Sequence, residues 1–152
     1  MTQNHAAPVF DKQVRHYIYE HFVKTGQAPT LLQCAQAFAC PIAEVRAAYQ
    51  RLADGRALVL QSNGEILMAE PFSAVPTAFY VEVGDHAWWG NCMWDALGIA
   101  AMLKEDARVV TACGCCNDAM IVEIRNGKLV GTSGLVHFAI PPRDWWNNVV
   151  FA

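Results

Sequence analysis

The sequence predicts an α+β chain: a winged-helix-like N-terminal module of three helices and a β-hairpin, followed by a small mixed α/β module. Three observations carry this. Apolar residues recur at helical steps through residues 10–52. Two Asn-Gly pairs each lie between short apolar runs. One further helical stretch sits among strand-like runs in the second half.

The elements follow in order. Phe10, Val14, Tyr17, Ile18 and Phe22 mark the first helix, and Gly26 ends it. Thr30 caps a second helix on Leu31, Leu32, Ala35 and Phe38. Pro41 fits the first turn of a third, which runs on Ile42, Val45, Tyr49 and Leu52 and stops at Gly55. Ala57–Leu60 and Ile66–Met68 flank Ser62-Asn63-Gly64 as a hairpin. Residues 70–78 hold two prolines and no period, which predicts a linker. The boundaries are therefore 1–70 for the helical module, 71–78 for the linker and 79–152 for the second module. There, Phe79–Val83, Arg108–Ala112, Met120–Arg125, Leu129–Gly131 and Leu135–Ile140 read as strands, and Asn91 to about Lys104 as a helix. Asn126-Gly127 is a hairpin turn, and Pro141-Pro142 ends the last strand.

Composition narrows the function. Of 152 residues, 54% are apolar and 16% charged, against a usual charged share of about 25%. A disordered chain is excluded. No apolar run reaches the roughly 18 residues of a membrane helix, so no membrane is expected. The first residues lack the basic start and apolar core of a signal peptide, and a cytoplasmic address is the expectation. A net charge of −3 argues against nucleic acid. So does the third helix, which exposes only Arg46 and Arg51 beside Glu44 and Gln50. The six cysteines include Cys113, Cys115 and Cys116, too crowded for a disulfide framework, and they read as cytosolic thiols.

Two clusters carry chemistry. In Gly90-Asn91-Cys92-Met93-Trp94-Asp95, Asn91 is a good N-cap and puts Cys92 at the first helical position. The helix end there favours a thiolate. Asp95, three residues on, shares the helix face and opposes that effect when ionised. A thiol–carboxyl pair that holds or passes one proton is the functional reading. A buried cysteine beside a surface aspartate is the alternative. Trp88, Trp89 and Trp94 surround the pair, as walls of an apolar pocket or as core. Cys113-Gly114-Cys115-Cys116 contains Cys-x-x-Cys, whose soft thiolates suit zinc, copper(I) or mercury. No second pair completes a four-ligand zinc site. Cys34 and Cys40 read as core or cap residues, and His137 as structural.

Taken together, these pieces resemble the alkylmercury lyase (organomercurial lyase) family. The resemblance runs through the N-terminal module, Tyr80-Val81-Glu82-Val83, the Trp88–Leu97 segment with its Cys92-x-x-Asp95, Arg108–Cys113, Val136-His137-Phe138 and Asp144-Trp145-Trp146. It implies protonolysis of a carbon–mercury bond, with Cys92 capturing mercury and Asp95 relaying a proton and then helping to hold the ion. Soft sulfur suits mercury, and a carboxyl supplies the proton a departing carbanion needs. It implies no organic cofactor, mercury(II) as the ion of substrate and product, and small thiols or a mercury-accepting protein as partners. Cys113 matches a structural family cysteine near the core. The family pattern places a second catalytic cysteine shortly after the segment matching Asp144–Phe151, and this sequence ends at Ala152. Cys115 and Cys116 are extra thiols that could substitute or bind metal. Apolar surface left uncovered there would favour a homodimer. The rival reading is a thiol-based soft-metal-binding or sensing protein without lyase activity.

Overall fold

The computed structural model describes residues 7–131, 134–138 and 140–147. Three helices open the chain: α1 (Ala7–Thr25), α2 (Leu31–Phe38) and α3 (Ile42–Asp54). Their apolar stripes are the expected ones, with Phe10, Val14, Ile18 and Phe22 of α1 and Val45 and Tyr49 of α3 all buried. Thr30 caps α2 in a reciprocal box: its hydroxyl accepts from the Gln33 N–H, and the Gln33 side chain accepts from the Thr30 N–H. Pro41 lies one residue earlier than expected, as the N-cap of α3. Burial isolates the Cys34 thiol beside Tyr49 Oη at 2.9 Å and pushes it up to about 11.

The strands form one antiparallel eight-stranded sheet. They are β1 (Val59–Leu60), β2 (Ile66–Ala69), β3 (Phe72–Ser73), β4 (Phe79–Val83), β5 (His86–Gly90), β6 (Ala107–Ala112), β7 (Ala119–Arg125) and β8 (Lys128–Val130). The spatial order is β1-β2-β3-β5-β4-β6-β7-β8. A helix, α4 (Met93–Leu103), packs against β4, β5 and β6. The chain is therefore α+β, with three helices first and then the strands, α4 lying between β5 and β6.

Three local expectations change. The segment expected as a linker contains β3, because Phe72 is fully buried and stacks on Phe22 of α1 with ring centroids 5.0 Å apart. Residues 84–90, to which no element was assigned, supply β5. The expected strand Leu135–Ile140 does not form over residues 134–138; Leu135, Val136 and His137 are exposed and have no ladder partner there. Residue 139 lies outside the described residues. Beyond it comes a short 3-10 helix, Pro142–Asn147.

Strand alternation sorts the sheet's side chains. Val81 opposes both Trp88 and Val109, and Val109 opposes Val122; all four are buried on one face. The opposite face carries Tyr80 against Trp89, 4.6 Å between centroids, and the Glu82–Arg108 ion pair at 2.9 Å. No helix among the described residues is long and apolar enough to cross a membrane.

Candidate active site

The site begins where β5 meets α4. Gly90 closes the strand, and a Cβ there would come within 2.8 Å of the Ala96 backbone nitrogen. A glycine is therefore what lets the first turn of α4 sit on the sheet. The Ala96 N–H donates to the Cys92 carbonyl at 3.0 Å, which makes Cys92 the N-cap, with extended backbone (φ −144, ψ −178). This moves the cap by one residue from the expected Asn91. A cap and the residue three positions on still face each other across the first turn. The Cys92 thiol donates to Asp95 Oδ2 at 3.4 Å.

Burial decides the protonation of this pair. It pushes the Cys92 thiol up to about 11, against the pull of the backbone N–H groups at the helix start. Of the two opposed effects at this helix start, the one that favours a thiolate is outweighed, and Cys92 is held as a thiol. Burial also raises the Asp95 carboxyl, although the Cys92 thiol and the N–H groups of Cys92 and Asn91 oppose it.

The pair opens into a cleft of about 440 Å3. Glu70, Pro71, Ser73 and Thr77, Trp94 and Gly98 of α4, and Phe138, Trp145 and Trp146 line it. Glu70 is exposed at the rim, and its carboxyl is raised by partial burial and by the charge of Asp95. Tyr19 of α1 fixes that rim by donating to the Glu70 carbonyl at 2.7 Å. The aromatic wall is tied down as well. Trp145 Nε1 donates to the Ile140 carbonyl at 2.8 Å, and the Arg56 guanidinium lies 5.6 Å from the Trp146 ring centre.

Of the three tryptophans expected as walls, Trp94 alone lines this cleft, and it is 66% exposed. Trp88 is core: it is 3% exposed and its Nε1 donates to the Phe22 carbonyl at 2.7 Å. Trp89 points to the opposite face, as its neighbour in a strand must. Glu70, Phe138, Trp145 and Trp146 were not anticipated as lining residues. The Asp-Trp-Trp run was visible, but nothing local aims it at Cys92.

The second cysteine cluster is separate from the cleft. Cys113, Cys115 and Cys116 occupy the turn between β6 and β7, with their three sulfurs within 4.8 Å of one another. Cys113 is half-exposed at the end of a strand rather than in the core. The N–H groups of Cys115 and Cys116, then the neighbouring thiols, hold it at about 7. The N–H of Asp118 draws Cys116 down, but the Asp118 carboxylate, which accepts from it at 3.2 Å, and the Cys113 sulfur leave it raised.

Comparison with known proteins places the chain in a family. The alkylmercury lyase family pattern matches residues 72–152, just over half of the chain. The chain belongs to the alkylmercury lyase family. The matched stretch contains Cys92, Asp95 and the aromatic wall, whereas Glu70 lies just before it. The crystal structure of the mercury-bound form of MerB2 shares the fold, with a TM-score of 0.63 and 22% identity over 80% of this chain and 60% of that one. This chain thus spans about three fifths of that protein. Among curated proteins there is no match.

Proposed function

We propose that the chain cleaves carbon–mercury bonds by protonolysis at Cys92 and Asp95. The observation that carries this reading is the Cys92 Sγ–Asp95 Oδ2 hydrogen bond at the foot of an aromatic-lined cleft. In the proposed sequence an alkylmercury ion, carried in on a small thiol, meets Cys92. The Cys92 sulfur–mercury bond forms as the mercury–sulfur bond to the carrier breaks, the carrier leaving as its thiolate, and the Cys92 proton passes to Asp95. Asp95 then delivers that proton to the carbon. Both electrons of the carbon–mercury bond stay with carbon, and the hydrocarbon leaves. Mercury(II) remains on the Cys92 sulfur beside the Asp95 carboxylate until small thiols or an accepting protein remove it. Soft sulfur weakens the bond, and a carboxyl held close supplies the proton.

A cytoplasmic setting belongs to the same proposal, because all six cysteines are free. The N-terminal helices and hairpin are read as a winged-helix-like packing module rather than a nucleic-acid reader. Arg51 of α3 is engaged by Asp11 at 2.6 Å, and Arg46 donates to the Asn63 carbonyl at 2.9 Å.

The test is incubation with an alkylmercury compound and excess small thiol, followed by headspace assay of the hydrocarbon. Wild type should release it and Cys92→Ser should not. A folded wild-type chain that binds mercury and releases no hydrocarbon would point to the metal-binding alternative.

A further inference from the structure

We infer that Cys113, Cys115 and Cys116 form a second, trithiol site that takes a soft, thiophilic cation of the mercuric or cuprous kind. Three sulfurs lie within 4.8 Å of one another, a spacing that one ion can bridge by a small closure. The loop that presents them is tied at its base. The Cys113 N–H donates to the Asp118 carbonyl and the Asn117 N–H to the Cys113 carbonyl, both at 2.8 Å. Asn117 completes the turn with φ +59. Cys115 and Cys116 are exposed, so an ion reaches them without opening the fold.

The donor set selects the metal. A structural zinc ion takes four ligands, usually in two pairs. Among the described residues no fourth sulfur or imidazole joins this group. Soft d10 cations are content with two or three thiolates. Binding transfers no electron: each thiol that becomes a ligand releases one proton and displaces a water or monothiolate ligand from the mercuric ion, and a displaced monothiolate takes up that proton.

The position adds a second point. Gly90 pairs with Phe79, and Tyr80 pairs with Val110, so β5 and β6 both end at the same edge of the sheet, one on each side of β4. Cys92 follows the first and Cys113 follows the second. The strands are two spacings apart, about 10 Å. The trithiol site does not depend on cleavage at Cys92; it needs only thiols and a cation.

The experiment uses the full, reduced chain in a Cys92→Ser background, which removes the cleft thiol. Mercury(II) is titrated against excess competing monothiol, with stoichiometry read by native mass spectrometry and sulfur-to-metal charge-transfer absorption. The expected result is one retained equivalent with a three-sulfur signature. Adding Cys115→Ser and Cys116→Ser should weaken that equivalent by at least about 100-fold, with unchanged circular dichroism. Equal retention by both chains, or none by the Cys92→Ser chain, overturns the proposal. Copper(I) and zinc(II) form the other arms. Zinc is expected to be displaced by mercury, and a zinc ion that resists displacement overturns the soft-cation assignment. Loss of hydrocarbon release in Cys92→Ser bears on the cleft alone, so failure of one reading is distinguishable from failure of the other.

Discussion

Cys92 and Cys113 follow strands that end at the same edge of the sheet, yet burial pushes the first up to about 11 while backbone N–H groups hold the second at about 7. The helix dipole taken alone would favour the reverse. Cys92 stands at a helix start, where the dipole favours a thiolate, and Cys113 stands at the end of a strand. The difference teaches which effect wins. At α4 the N-terminal amides act, but the same packing that builds the cleft removes water from the sulfur, and desolvation dominates. At the β6–β7 turn the N–H groups of Cys115 and Cys116 act on a sulfur that stays hydrated. Protonated and hydrogen-bonded, Cys92 is suited to move a proton. The turn is suited to hold an ion.

The largest expected effect is in thiol reactivity. At pH 7 a thiol of pKa about 7 is half ionised and one of about 11 is about one part in ten thousand ionised, a ratio of about five-thousandfold, of which the lower nucleophilicity of the more acidic thiol returns about fiftyfold. Cys113 should therefore react with a small alkylating reagent about a hundredfold faster than Cys92 at pH 7. Peptide-resolved mass spectrometry reads this directly. The Cys113 rate should level off above about pH 7, while the Cys92 rate climbs towards about pH 11. Equal rates would break the contrast.

Gly90→Ala comes next. Its Cβ would press on the Ala96 nitrogen at 2.8 Å, and backbone cannot swing aside as a flexible side chain does. The expected loss is about 1–3 kcal/mol in urea unfolding. Hydrocarbon release should fall with it, because Cys92 and Asp95 ride on that helical turn. Mercury retention at the β6–β7 turn should persist. Loss of both together would show that the two regions are one unit.

The smallest effect is a pH dependence. Asp95 has a folded pKa above its unfolded value. Its contribution to stability is thus fully present below the ordinary carboxyl range of about 3.9 and is lost as pH rises through the higher folded value. Thermal midpoints of wild type and Asp95→Asn should accordingly draw apart as pH rises from about 4 to 7, with the variant gaining relative to wild type. A parallel pair of curves would assign Asp95 an ordinary, solvated carboxyl.

Much of the helical region was legible because its signals are local. The apolar stripe of α1, the capping box at Thr30 and the stop at Gly55 each depend on residues within a few positions of one another. The Cys92-x-x-Asp95 pair was legible for the same reason. β3 was not, since two residues between prolines have no period to read; Phe72 becomes a strand residue only by packing on Phe22. The fates of Trp88 and Trp89 follow from alternation, but only once β5 is recognised as a strand.

In the sequence by itself, local spacing was enough to place the four α-helices, the β1–β2 and β7–β8 hairpins, the family resemblance, and the thiol and carboxyl that share a helical turn. Only the tertiary structure decided that Cys92 is a thiol, that Trp88 is core, and that Glu70, Phe138, Trp145 and Trp146 wall the cleft. Desolvation and enclosure are summed over segments far apart in sequence, so no local pattern contains them.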